Sequence, residues 1–332
     1  MLDCMDLETL IGKRLAVGIP GAEATEDVIE ALRAIRAGSL VLFSRNAASP
    51  EQLRRLLRRL EEGLGYPLWV MVDHEGGRII RFAEGVTRFP SALTVGTTMS
   101  VADAETQGCV EATELRALGV HVNLAPCVDV LVEGADPIIG DRSYGADPER
   151  VSAYAAARIR GLQTHGVAAC AKHFPGLGAV NRDPHGALPT ITADWNAMEP
   201  HLVPFERSIM AGVAMVMSSH ACYPHLGDPP GLPATFSRRL IHDLLRRRLG
   251  FEGVMLTDDL EMGALRSFGA MDELAIRATE AGHDLLLICS DLAAAQRAAA
   301  GLRSAYASGC LDGDELERSV QRIQQARQKF LS

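Results

Sequence analysis

Gly166-Val167-Ala168-Ala169-Cys170-Ala171-Lys172-His173-Phe174-Pro175-Gly176 is the stretch on which the fold reading turns. Its first six residues are apolar or small without a break, as a strand must be when it lies in a parallel sheet covered on both faces. A cation and an imidazole follow at the point where such a strand leaves the sheet. Further apolar runs of strand length occupy residues 14–19, 40–43, 68–72, 120–124, 214–217, 254–256 and 284–288. Amphipathic stretches of helical length, residues 26–37, 50–64, 102–118, 148–165, 197–211, 237–249 and 272–281, alternate with most of them. This alternation predicts an α/β protein, a single (β/α)8 TIM-type barrel domain spanning residues 1–332. A doubly wound open sheet is the alternative. Polar groups follow several different strands, at Asp73, Asn123, Lys172-His173, Ser218-Ser219-His220 and Asp258. Barrels carry catalytic groups on the C-terminal ends of many strands, whereas an open sheet gathers them at one crevice. Residues 293–307 and 314–330 read as two more helices, the extra C-terminal one packed outside the barrel.

Composition narrows the function classes. Hydrophobic residues make up 47% of the 332 and charged residues 23%, the balance of a soluble protein with a large core. Lys and Arg number 33 against 42 Asp and Glu, and the formal charge of −9 opposes binding to a polyanion or an acidic membrane. Neither nucleic acid nor membrane is expected as a partner. The densest basic stretch, Leu53-Arg54-Arg55-Leu56-Leu57-Arg58-Arg59-Leu60, sets leucines at helical spacing with arginines between them, which is the solvated face of a packed helix. Seven cysteines include no Cys-x-x-Cys pair, and several sit in apolar runs, consistent with a reducing compartment. Residues 1–10 carry Asp3, Asp6 and Glu8 and do not read as a secretory signal. No uncharged apolar run approaches the ~20 residues of a membrane helix. A cytoplasmic monomer acting on a small molecule is expected.

Three clusters carry candidate chemistry. In Asp73-His74-Glu75-Gly76-Gly77-Arg78-Ile79-Ile80-Arg81, two glycines allow close backbone approach to a ligand, and the flanking Asp and Arg suit neutral hydroxyls; an ion pair stabilising a tight turn is the structural alternative. Asp183 and His185 lie in a glycine-bounded loop and can form a carboxylate–imidazole dyad that donates a proton and later takes one from water. Of Asp258-Asp259, the first continues directly from its strand and is the better nucleophile candidate. Arg81, Arg142 and Lys172 are positioned in the sequence to hold it ionised, while Asp259 or Glu261 can instead cap the next helix. No His-x-His or His-Glu-x-x-His spacing exists, so neither a metal nor any other cofactor is expected.

Together, Asp73-His74-Glu75-Gly76-Gly77-Arg78, Lys172-His173-Phe174-Pro175-Gly176, Asp183-x-His185 and Thr257-Asp258-Asp259-Leu260-x-Met262 resemble the family 3 glycoside hydrolases, most of all the NagZ-type bacterial β-N-acetylhexosaminidases. Asn123-Leu124-Ala125-Pro126, Asp141-Arg142-Ser143-Tyr144-Gly145, Ser218-Ser219-His220 and Ala234-Thr235-Phe236-Ser237 extend the similarity across roughly residues 14–281. The resemblance implies a retaining exo-glycosidase that removes terminal β-linked N-acetylglucosamine from cell-wall (peptidoglycan) fragments through a covalent intermediate. It implies Asp258 as nucleophile, His185 with Asp183 as the acid/base on a mobile loop, and Asp73, Arg81, Arg142, Lys172 and His173 as sugar-binding residues. The sequence departs from the family pattern at Leu177, where a histidine is usual, at Pro184, where Ser or Thr is common, and at His74, where Gln is usual. Two further readings remain open, a glycoside phosphorylase of the same family and a sugar-binding barrel without turnover. A histidine acid/base favours the former by repelling phosphate less than a carboxylate does.

Overall fold

A computed structural model describes residues 5–331. Residues 1–4 and 332, including Cys4 and the start of the N-terminal stretch read above, lie outside the described residues. Eight parallel strands close into a barrel in chain order: β1 (Leu15–Gly18), β2 (Ser39–Leu42), β3 (Trp69–Val72), β4 (Val122–Asn123), β5 (Ala168–Phe174), β6 (Met215–Ser218), β7 (Val254–Asp259) and β8 (Leu285–Ile288). Closure comes from β1 pairing with β8, with Ala16 opposite Leu287. This excludes the open sheet. Each expected strand is present, but β5 and β7 run on to Phe174 and Asp259, so that Lys172, His173 and Asp258 belong to the strands themselves.

The helices between strands follow their local signals. Ser49 caps Pro50–Leu64 by accepting from Gln52 N, Pro50 occupies the first turn, and Gly65 ends the helix in the left-handed conformation. Leu53, Leu56, Leu57 and Leu60 are buried against the barrel, and Arg54, Arg55, Arg58 and Arg59 face solvent. The sequence reading had no counterpart for the short helices Leu7–Lys13 and Ala92–Thr98. Among the described residues no helix is long and apolar enough to cross a membrane. The six described cysteines are free thiols.

Strand periodicity divides the core in two. Ala169, Ala171, Val70, Val72 and Met255 face the surrounding helices, while Ala168, Cys170, Trp69, Met71, Val254 and Leu256 fill the barrel. The final helix, Gly313–Phe330, departs from the expectation of a purely external element. Its Ile323 and Phe330 join the interior cluster, and Arg327 donates to the carbonyls of Gly38 and Pro67 at the starts of β2 and β3. It therefore plugs the floor, because a barrel end left open would expose apolar side chains to water. Ile323→Ala is expected to cost about 2–5 kcal/mol in urea denaturation, whereas an external helix would tolerate it with little loss.

Candidate active site

Because side chains alternate along a strand, the inward rows can be followed to the barrel mouth. Trp69 and Met71 lead to Asp73, Ala168 and Cys170 to Lys172, and Val254 and Leu256 to Asp258. One face of the barrel thus receives residues from β3, β5 and β7.

Lys172 is the hub. Its side chain is 2% exposed, with Nζ 2.6 Å from Asp73 Oδ1 and 2.7 Å from Glu75 Oε1. Arg142 grips Glu75 in a two-pronged contact, Nε to Oε2 and Nη2 to Oε1, both at 2.8 Å. Burial opposes the charge of Glu75, but Arg142 and Lys172 outweigh it and hold the carboxyl well below its ordinary value. Arg81 reaches Asp73 from farther away, 3.8 Å. Behind them Asn123 pairs with both backbone groups of His74, extending the short β4 along the end of β3. Arg158, ion-paired to Glu111, donates to the carbonyls of His74 and Glu75. The turn therefore does contain an ion pair, made with Lys172 more closely than with Arg81. Gly76 and Gly77 adopt φ of +94° and +56°, and a Cβ on either would meet Pro90 or Ser91 at 2.7 Å. Their close approach is to this neighbouring chain segment.

His173 lies between Arg142 and Asp129. Its Nδ1 is 2.7 Å from Asp129 Oδ2 and its Nε2 3.3 Å from Arg142 Nη2, which fits an Nδ1–H donating to the carboxylate and Nε2 accepting from the guanidinium. Asp129 also accepts from the backbone N–H of His173 and of Leu177, the latter at 2.6 Å, and so clamps the turn that leaves β5. Leu177 keeps this main-chain bond while burying an apolar side chain. Cys127, Asp129 and His173 have the residue types of a metal site, with ligand atoms within 4.8 Å of one another. The cluster fits an ion poorly. Asp129 is engaged by four donor groups, and Arg142 brings positive charge against the cluster.

Asp258 is charged for reasons other than the arginines expected above. Burial pushes its pKa up, but His220, His173, the Asp259 N–H and Lys172 together bring it below the ordinary carboxylate value. Arg142 is committed to Glu75, and Arg81 faces Asp73. His220, on the segment after β6, donates from Nε2 to the Asp259 carbonyl and stands 2.5 Å from Thr235 Oγ1. Asp259 is no helix cap either. Its Oδ1 accepts from Glu261 N and Cys289 N, and Glu261 accepts from Ser290 N and Asp291 N, tying the β7 loop to the β8 loop.

Asp183 and His185 form the expected dyad, with His185 Nδ1 2.7 Å from Asp183 Oδ1 and the His185 side chain 65% exposed. Burial raises the Asp183 pKa, but the His185 N–H and imidazole, with Arg142, bring it down on balance. The carbonyls of Pro184, which is buried, and of the exposed His185 accept from Ala264 N and Gly263 N, both at 3.1 Å, on the segment following β7. His220 lies within electrostatic reach of both Asp258 and His185. The loop that carries His185 is therefore held against the segment that follows the Asp258 strand.

Glu75, Asp129 and His220 carry the site without having been assigned to it from the sequence. Glu75 lies two residues after Asp73 in the segment that follows β3, and His220 is one of the polar groups at a strand end. Asp129 had a signal of its own, a lone acid within Cys127-Val128-Asp129-Val130-Leu131, since a carboxylate among apolar residues must be buried against donors.

Two outcomes test this electrostatic frame. Glu75→Ala leaves Lys172 and Arg142 under-compensated and is expected to lower stability by about 3–5 kcal/mol in urea denaturation. Burial, with Glu261 and Asp258 nearby, raises the Asp259 pKa to about 7. A folded pKa above the unfolded one gives stability that is present at low pH and lost as pH rises. The thermal-midpoint advantage of Asp259→Asn over wild type should grow between about pH 4 and pH 7 and then level off.

Comparison with known proteins agrees with this geometry. Residues 8–326 match the glycosyl hydrolase family 3 N-terminal domain. A beta-hexosaminidase of Thioalkalivibrio sulfidiphilus is 40% identical over 278 residues, covering 82% of this chain and 79% of that protein. One of Nitrosomonas eutropha is 38% identical over 284 residues, 83% of this chain and 80% of that protein. A family 3 beta-N-acetylglucosaminidase from Paenibacillus sp. superposes with a TM-score of 0.95 at 35% identity over 99% of this chain, which spans 63% of that protein. NagZ from Neisseria gonorrhoeae, solved with N-trifluoroacetyl-D-glucosamine, superposes with a TM-score of 0.83 at 32% identity, covering 94% of this chain and 89% of that one. With a closed barrel, polar strand ends gathered at one mouth and a family match running through nearly all of it, the chain belongs to glycosyl hydrolase family 3.

Proposed function

We propose that the protein is a retaining exo-β-N-acetylglucosaminidase acting on terminal β-linked N-acetylglucosamine of cell-wall fragments, with Asp258 as nucleophile and His185 as acid/base. The observation that carries this reading is the seating of the Asp183–His185 loop on the segment that follows β7, the strand whose inward row ends at an ionised Asp258. In the first step an Asp258 carboxylate oxygen attacks the anomeric carbon. The glycosidic C–O bond breaks, and the departing oxygen takes the proton from His185 Nε2. In the second, His185 accepts a proton from water, whose oxygen attacks the same carbon and releases the Asp258 carboxylate. Asp183 occupies Nδ1 of the imidazole, leaving Nε2 to carry the proton. Asp73, Lys172, Arg142, His173 and Arg81 offer polar donors and acceptors for the sugar's hydroxyl and acetamido groups. The beta-hexosaminidase activity for which the relatives are named and the beta-N-acetylglucosaminidase activity of the Paenibacillus protein support a hexosaminide substrate.

Wild type is expected to release the chromophore from an aryl β-N-acetylglucosaminide, and Asp258→Ala to abolish release. His185→Ala should slow cleavage of a β-N-acetylglucosaminyl cell-wall disaccharide by about 10²–10⁴-fold. No turnover by wild type, or unchanged turnover by Asp258→Ala, would sink the assignment. A sugar 1-phosphate formed in phosphate buffer would overturn simple hydrolysis in favour of phosphorolysis.

A further inference from the structure

The dyad loop is long and its histidine exposed, yet the loop has a defined seat. At its base, Val132 N donates to Gly178 O and Asp136 N to Val180 O, which holds it to the segment after β4. At its tip, the bonds from Gly263 and Ala264 seize two successive carbonyls, those of His185 and Pro184, while the Pro184 ring is buried. The approach is so close that a Cβ on Gly263 would stand 2.4 Å from His185 O and 3.2 Å from Gly186 C. Gly263 is not in the left-handed region, so its backbone accepts any residue; only the seated loop forbids a side chain.

We infer that Gly263 is a positioning residue, the floor of a latch on the nucleophile-bearing β7 segment that sets the acid/base His185 over the barrel mouth. The inference rests on the proposed role of His185. Among the described residues the exposed imidazole hydrogen-bonds only its neighbour Asp183, and it gains little orientation from that pair, because an exposed ion pair restrains weakly. Two backbone hydrogen bonds and a buried proline supply what the dyad lacks. Since Gly263 follows Asp258 on the same short segment, the latch also fixes the spacing between the group that attacks and the group that protonates.

A side chain at 263 should lift the loop and impair only the steps that need the proton. The test compares wild type, Gly263→Ala and His185→Ala on two β-N-acetylglucosaminides, one with a strongly acidic phenol as leaving group and one with an unactivated alcohol. Gly263→Ala is expected to lose about 10- to 100-fold in kcat/KM on the unactivated substrate and far less on the activated one, in the direction of His185→Ala. Tryptic cleavage after the exposed Arg182 in the same loop should accelerate by about fivefold or more, with the thermal midpoint nearly unchanged. Pro184→Gly, which withdraws the ring from the same seat, should behave alike. Unchanged cleavage after Arg182, or equal losses on both substrates while His185→Ala remains leaving-group dependent, would overturn the latch. Faster cleavage with no leaving-group dependence in either Gly263→Ala or His185→Ala would leave the latch standing and refute the acid role of His185.

Discussion

An ammonium group with 2% of its side chain exposed stays charged only if anions surround it, and the mouth of this barrel is organised by that requirement. Lys172 ends an otherwise apolar row of β5, and Asp73 and Glu75 follow β3 on the far side of the two-residue β4. The charge cluster therefore spans a place where strand pairing is thin. Glu75 in turn draws Arg142 from the loop after β4, and the backbone of the same turn is held by Arg158. Each charge has a partner, so the cluster forms a stiff polar wall and not a set of independently solvated side chains.

The rest of the site divides between rigid and exposed parts. Asp258 belongs to a strand and is kept ionised by neighbours fixed on other strands and turns. His173 is clamped through Asp129, which accepts side-chain and main-chain donors from one turn. The Asp183–His185 dyad stands in solvent on a loop, where the pair itself contributes only about 0–1 kcal/mol. The position of that loop is consequently a matter of main-chain bonding to the segment after β7. The strand that bears Asp258 and the loop that bears His185 are thereby coupled through backbone.

Much of this was legible in the residues. Short, predominantly apolar runs marked eight buried strands, since a strand covered on both faces has little polar side to show. Caps such as Ser49 with Pro50 marked helix starts through purely local hydrogen bonds. Strand ends identified Asp73, Lys172 and Asp258, because side-chain alternation carries an inward row to the mouth. The dyad was legible because its partners are two residues apart. What stayed hidden has a common physical origin in long-range pairing. The plugging of the barrel floor by Ile323 and Phe330 depends on where the last helix returns. Likewise Arg142 had several carboxylates in reach by sequence, and only the packed fold assigned it to Glu75 and left Asp258 to His220, His173 and Lys172.

The sequence by itself determined the strand–helix alternation, the chemistry available at the strand ends and the Asp183–His185 pair, all of which arise from local periodicity or adjacent residues. Tertiary structure alone decided which charges neutralise one another, which glycines face backbone and where the dyad loop is seated. Those outcomes depend on contacts between segments far apart in the chain, and burial and Coulomb energies are set by the distances at which such segments meet.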